Sequence, residues 1–144
     1  MSLTGANARI TISQPTLFPT PQTIQGFAAD DVTDMDPAEI VERLMGVDGV
    51  LSFGFVWVER MQNITLQADS ASNDVFDIIN AQQEAIQDVY ALAGKITLPG
   101  IGLAFNCING ALMRYPPMPH VQKLIKPRKF TVVWNRVIPS LVAS

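Results

Sequence analysis

Runs in which large apolar residues alternate with polar ones most constrain the fold of this chain. Residues 61–68 (MQNITLQA) and 129–138 (KFTVVWNRVI) show this pattern most clearly. Successive side chains of an extended backbone point to opposite faces, so a period of two predicts half-buried strands. The side chains expected to point inward are Ile64, Leu66, Ala68, Phe130, Val132 and Trp134, and those expected to point outward from the first strand are Asn63, Thr65 and Gln67.

Four further segments are predicted to hold strands. Residues 8–13 alternate, and residues 95–98 form a short β-rich run. Residues 50–58 (VLSFGFVWV) are apolar on both faces, which predicts a strand packed on both sides. Residues 103–115 hold one strand, or two if the chain turns at Asn109 and Gly110.

Prolines and aspartates determine the predictions for two segments before residue 50. Residues 14–22 contain three prolines and are predicted to be an irregular connection, followed by a short strand candidate at residues 23–28. In residues 30–49, Asp36 and Pro37 fit the start of a helix, whereas Asp48 and Gly49 fit the turn of a hairpin. We favour a strand at residues 40–45, and the helix alternative for residues 36–46 stays open.

One long helix is predicted at residues 72–93. Ser72 is a good N-cap residue, the apolar residues recur at helical spacing, and Gly94 is placed to end the helix. Ile79, Ile86 and Val89 are expected to face the strands. The whole chain, residues 1–144, is predicted to be one domain of the mainly β (α+β) class, with residues 1–7 loose. The expected architecture is an antiparallel barrel or sandwich of six to eight strands flanked by the helix.

Charge is divided along the sequence. Residues 1–94 contain 13 acidic and three basic residues, a net charge of −10, whereas residues 95–144 contain seven basic residues and none acidic. Only 16% of the chain is charged, against about 25% in typical domains. One interpretation is that the charges mix on one folded surface. The other is that two oppositely charged faces dock between identical copies.

The chemistry-bearing residues are few. His120 is the only histidine and Cys107 the only cysteine, so a histidine-dependent triad could use only His120, and a two-histidine metal site and an internal disulfide are excluded. The acidic residues 30–42 lack the spacing of an EF-hand, and the basic residues 123–129 lack interleaved aromatic residues for nucleic-acid recognition. No signal peptide or membrane-spanning segment is predicted. The expectation is a protein without catalytic site, cofactor, metal or membrane partner.

The order of elements resembles a known family. Residues 61–83 (MQNITLQADSASNDVFDIINAQQ) give a strand, a polar joint and a helix, and residues 106–140 (NCINGALMRYPPMPHVQKLIKPRKFTVVWNRVIPS) give a strand, a proline-containing loop and a final strand. This is similar to the tail tube proteins of contractile-tailed bacteriophages, which are related in fold to the type VI secretion tube subunit. The resemblance covers most of residues 8–140 and is weakest at residues 30–49.

The resemblance implies a structural virion protein, made in the host cytoplasm, whose copies form six-membered rings. The rings would stack head to tail into a hollow tail tube that contacts tail sheath and baseplate proteins and passes DNA as non-specific cargo. Alternative functions are a tube-initiating baseplate or terminator protein of the same fold, or a monomeric β-barrel module that binds a ligand or peptide. The residues predicted to mediate self-assembly are Asp30, Asp31, Asp34, Asp36, Glu39, Glu42, Lys123, Lys126, Arg128 and Lys129.

Overall fold

The computed structural model describes residues 8–27 and 32–141. These residues form nine strands and one helix. In chain order the elements are β1 (Arg9–Gln14), β2 (Phe18–Ile24), β3 (Thr33–Met35), β4 (Val41–Met45), β5 (Leu51–Phe55), β6 (Arg60–Leu66), α1 (Asn73–Ile86), β7 (Leu92–Leu98), β8 (Leu103–Arg114) and β9 (Arg128–Leu141). The predicted mainly β class with one helix is therefore confirmed.

Seven strands form one antiparallel sheet in the order β2-β1-β7-β8-β9-β6-β3, and β4 and β5 form a separate two-stranded sheet. The large sheet curls so that the residues after β2 approach the end of β6. Phe27 forms an isolated bridge with Leu66, and the Gln67 N–H donates to the Gly26 carbonyl at 2.8 Å. It is not a closed barrel, which corrects one of the two predicted architectures. The edge strands resist pairing, since β2 contains prolines without N–H groups and β3 has only three residues.

The alternating strands pack as their patterns predict. Phe130, Val132 and Trp134 of β9 are all buried, as are Ile64 and Leu66 of β6. In register, Phe130 lies opposite Ile64 and Val132 lies opposite Gln62. One predicted outward residue is wrong: Asn63 is buried, because its side-chain oxygen accepts a 2.9 Å hydrogen bond from the Thr131 hydroxyl.

Helix α1 covers one face of the large sheet but is shorter than the predicted span of residues 72–93. It ends at Ile86, and Gln87 adopts a left-handed conformation with φ of 53°. Residues 92–98 form β7, so Gly94 lies within a strand rather than ending the helix. Phe76 stacks on Phe130 with ring centroids 4.4 Å apart, which anchors the N-terminal half of the helix to β9.

The shorter helix changes which apolar residues are buried. Ile79 has no exposed surface, but Ile86 is 48% exposed and Val89 lies beyond the helix on the surface. The prediction that all three face the strands is therefore wrong for Ile86 and Val89. Ser72 occupies the N-cap position as predicted, but its hydroxyl makes no capping hydrogen bond to the helix and instead accepts a 2.8 Å hydrogen bond from the Gln25 N–H.

Two further predictions are corrected at the strands. The proline-rich residues 14–22 contribute to strand β2, which tolerates its prolines because it pairs only with β1 at the edge of the sheet. The short strand candidate at residues 23–28 holds only the end of β2, and Ala28 lies outside the described residues. Residues 103–114 form one strand with a bulge, at which Asn109 adopts a φ of 52°.

Candidate functional site

The β4–β5 hairpin forms where residues 40–45 were predicted to be a strand. Val41 pairs with Phe55 and Met45 with Leu51. At the turn, the Gly46 N–H donates to the Val50 carbonyl at 2.9 Å, and Gly49 has a φ of 85°, which glycine adopts without a steric cost. The aspartate and glycine at residues 48 and 49 therefore mark a hairpin turn, and the helix alternative for residues 36–46 is wrong.

The hairpin is apolar and uncovered on both faces. Every residue of β4 and β5 is exposed, with Phe53 at 72% and Leu44 at 74%. The expectation that residues 50–58 pack on both sides is therefore wrong for this single copy. The alternation of large and small residues correctly indicated a strand, but it could not show whether the covering surface belongs to the same chain. The other exposed apolar residues of the hairpin and its base are Ile40, Val41, Met45, Val47, Val50, Leu51, Phe55 and Trp57.

The base of the hairpin contacts the large sheet through Trp57 and Arg136. The Val56 N–H donates to the Ile40 carbonyl at 3.0 Å and extends the pairing beyond β4 and β5. Phe55 meets Trp57 edge to face with ring centroids 5.0 Å apart, and the Arg136 guanidinium lies 5.8 Å from the Trp57 ring. The exposed aromatic side chains at the base of the hairpin thus lie next to Arg136 of β9.

The predicted acidic residues cluster before and within this hairpin. Asp34 lies on edge strand β3, and Asp36 follows it and accepts a 3.5 Å hydrogen bond from the Asn63 amide. Glu39 and Glu42 are exposed, the second on β4. Asp30 and Asp31 lie outside the described residues. The four described acidic residues are all on the surface.

The predicted basic residues divide into two kinds. Lys123, Lys126 and Lys129 are exposed. Arg128 is only 7% exposed and forms an ion pair inside the subunit, where its Nη2 lies 3.0 Å from Asp77 Oδ1. The same nitrogen donates to the Pro116 carbonyl at 2.7 Å. Arg128 therefore holds α1, the start of β9 and the loop of residues 115–127 together, a role that its position in a basic run did not indicate.

Tyr115 completes this cluster by donating its hydroxyl hydrogen bond to Asp77. Burial raises the pKa of Asp77, but the hydrogen bonds from Arg128 and Tyr115 and the charge of Arg128 outweigh it and leave the pKa below its ordinary value. Burial and the hydrogen bond to Asp77 raise the pKa of Tyr115. Asp77 is consequently an ionised carboxylate at neutral pH.

The loop of residues 115–127 presents apolar side chains as well as cations. Val121 bridges to Ile125, and the Lys126 N–H donates to the His120 carbonyl at 2.9 Å, which makes a compact turn. Leu124, at its tip, is 76% exposed. The prediction for this segment used only its charges and missed its apolar residues, although leucine and isoleucine stand between Lys123 and Lys126 in the sequence.

Cys107 and His120 differ in exposure to solvent. Cys107 is buried, and burial raises its pKa to about 11, so its thiol is protonated at neutral pH. His120 is on the exposed loop, with its Nε2 3.0 Å from the Gln122 side-chain nitrogen. Across residues 8–27 and 32–141, no three histidine, cysteine, aspartate or glutamate side chains converge as a metal site. The helix described here lacks the length and apolarity to cross a membrane.

A family profile described as tail fiber protein gp32 matches residues 1–138. No curated protein matches the chain. The match thus spans nearly all of the sequence, including residues 30–49, where the resemblance to tail tube proteins is weakest.

Solved structures show the same fold at low sequence identity. A chain of the sheath–tube complex of an extracellular contractile injection system matches with a TM-score of 0.60 and 14% identity, covering 98% of this chain and 93% of that one. A chain of the anti-feeding prophage baseplate matches with a TM-score of 0.60 and 7% identity, covering 100% and 99%. A chain of the anti-feeding prophage cap matches with a TM-score of 0.56 and 10% identity, covering 99% and 93%. The fold is therefore of the contractile-tail tube type.

Proposed function

The chain belongs to the tail fiber protein gp32 family, and from that premise we propose that it is a self-assembling structural subunit of a contractile tail. In this proposal copies form rings, and the rings stack head to tail into a hollow tube. The subunit resides in the virion or particle, contacts sheath and baseplate proteins, and takes no part in catalysis. DNA passes as non-specific cargo through the tube.

The observation that carries this proposal is the exposed apolar hairpin formed by β4 and β5. Monomeric soluble proteins rarely expose a contiguous apolar patch beyond a few hundred Å². A lone two-stranded hairpin is also only marginally stable in water. Phe53 and Leu44 are both more than 70% exposed, so covering the hairpin with another chain removes a large apolar surface from water and stabilises the hairpin itself.

We assign the predicted charged residues to the same contacts between copies. Acidic residues precede and flank the hairpin, and exposed lysines lie on the loop of residues 115–127 and at the start of β9. Opposite charge favours one relative orientation of two copies and disfavours the reverse. Arg128 acts indirectly, because its ion pair with Asp77 positions the loop. Asp30 and Asp31 belong to the proposed acidic set by sequence alone.

A second candidate is a subunit of an end ring, which initiates or terminates a tube. The fold likeness to a baseplate chain and to a cap chain favours it, since their TM-scores of 0.60 and 0.56 are similar to the 0.60 for a chain of the sheath–tube complex. The two candidates differ in their products. A tube subunit polymerises without limit, whereas an end-ring subunit stops after closing a ring.

Sedimentation velocity and negative-stain microscopy of the purified chain test the proposal. We expect rings or tubes from the wild type, and a folded monomer from a variant that combines Leu44→Ser with Phe53→Ser. Val89→Ser is the matched control, because Val89 is also exposed but lies outside the hairpin; it should assemble like the wild type.

Rings without tubes would select the end-ring candidate. A wild type that remains monomeric at all concentrations, or a hairpin variant that assembles normally, would contradict self-assembly through the hairpin. If the wild type stays monomeric, a monomeric binding module becomes the better account; if the hairpin variant assembles normally, assembly uses a surface other than the hairpin.

A further inference from the structure

The self-assembly proposed above requires a surface that receives the hairpin, and on that basis we infer that the β4–β5 hairpin of one copy docks in a groove between residues 67–69 and the loop of residues 115–127 of the next copy. The occupant is a second copy of this chain. The groove and the hairpin are different surfaces of one subunit, so the contact is heterologous and propagates from copy to copy.

The groove has a volume of about 610 Å³. Its walls include Ala68 on one side, and Pro119, Leu124, Ile125 and Pro127 on the other. The last four residues bring only apolar side chains, and Leu124 and Ile125 are exposed. These two side chains are therefore open to solvent, and an apolar side chain entering the groove would be removed from water.

The wall formed by the loop is held in place before any partner arrives. Arg128 Nη2 donates to the Pro116 carbonyl at 2.7 Å and pairs with Asp77 on α1, which fixes the root of the loop. The hydrogen bond from the Lys126 N–H to the His120 carbonyl closes its tip. A preformed site loses less conformational entropy on binding than a mobile one, which favours specific docking.

Charge favours the hairpin as the occupant. Glu39, Glu42 and Asp48 flank or lie within the hairpin, and Arg43 is the only basic residue between residues 32 and 59. The groove side carries Lys123 and, beside it, exposed Lys126 and Lys129, against the single acidic residue Asp69. The hairpin thus combines apolar side chains with acidic ones, and the groove combines apolar side chains with basic ones. The two attract each other, whereas two grooves or two hairpins would repel each other.

Intermolecular disulfide formation tests this contact. Two single-substitution chains, Val47→Cys at the hairpin turn and Leu124→Cys in the groove, carry tags of different length and are mixed before assembly and mild oxidation. We expect a disulfide-linked heterodimer on a non-reducing gel. The matched control replaces Leu124→Cys by Val89→Cys, which is exposed but distant in sequence from the groove, and should give none. Cys107 is buried and does not interfere.

A second measurement is independent of disulfide formation. The double variant Leu124→Asp with Ile125→Asp, at two exposed positions, should stay folded and lose assembly, while Val89→Asp keeps it. If the wild type assembles but the heterodimer does not form and the double variant assembles normally, the inferred contact is overturned while self-assembly stands. If the wild type and all variants remain monomeric, the proposed function fails, and this inference fails with it.

Discussion

The indole N–H of Trp134 donates a 2.9 Å hydrogen bond to the side-chain oxygen of Gln62, and both side chains are buried. The Gln62 amide in turn donates to the Thr33 hydroxyl at 3.0 Å, and that hydroxyl donates to the Asn63 carbonyl at 2.7 Å. This chain of bonds connects β9 through β6 to the three-residue edge strand β3. It therefore fixes the segment from which the β4–β5 hairpin starts.

Gln62→Met is expected to lower the free energy of unfolding by about 1–3 kcal/mol, because it leaves the buried Trp134 N–H without an acceptor. Gln82→Met, at an exposed position of α1, is the matched control and should change stability little. Urea unfolding of both variants followed by Trp fluorescence measures the difference. Equal midpoints for the two variants would show that the hydrogen bond to Gln62 does not matter for stability.

Gly110→Ala is expected to destabilise the fold by about 1–3 kcal/mol. Gly110 lies directly opposite Trp134 in the register of β8 and β9, and an added Cβ would overlap the indole ring. Gly54→Ala is the control, since a Cβ at Gly54 would meet no atom within 4 Å. Thermal unfolding of the two variants compares them, and a Gly110 variant as stable as the wild type would refute the close packing of the ring.

Ile79→Ala and Ile86→Ala test which part of the helix packs on the sheet. Ile79 has no exposed surface, and its truncation should cost about 2–5 kcal/mol. Ile86 is 48% exposed, so its truncation should cost less than about 1 kcal/mol. Denaturant unfolding gives both values. A larger loss for Ile86 than for Ile79 would mean that the helix is rotated or longer than described.

Asp77→Asn is expected to destabilise the protein by about 1–2 kcal/mol at pH 7, because buried Arg128 loses its carboxylate partner. The pKa of Asp77 is lowered in the folded state, so the ionised carboxylate stabilises the fold above its ordinary pKa of about 3.9. That contribution is lost as pH falls through the folded-state value. Wild type and variant should therefore converge in acid.

Unfolding midpoints in urea from pH 7 to pH 3 measure this convergence. Glu84→Gln is the control, because Glu84 is exposed on the same helix and accepts only a 3.2 Å hydrogen bond from Asn80. A difference between wild type and Asp77→Asn that stays constant down to pH 3 would contradict a role for the ionised carboxylate.

The sequence by itself determined the mainly β class and the position of most strands. Alternation is a local property, and the face carrying Phe130, Val132 and Trp134 had to be buried by some surface, which the structure confirms. The turn at Asp48 and Gly49 was likewise predictable, because a positive φ is a local demand that glycine meets. The charge division was also visible, and its role in assembly stays a prediction.

Only the tertiary structure decided which surfaces are covered and by what. The strand containing Phe53 is apolar on both faces in sequence, yet it is exposed throughout, because no segment among residues 8–27 and 32–141 packs over it. Arg128 belongs to a basic run in sequence, but Asp77, which lies 51 residues earlier, draws it into the interior. The helix ends at Ile86, and Gly94 lies in β7, where an added Cβ would lie 2.8 Å from the Trp134 ring. Each outcome depends on whether residues distant along the chain pack against the segment, and a local sequence pattern does not specify such contacts.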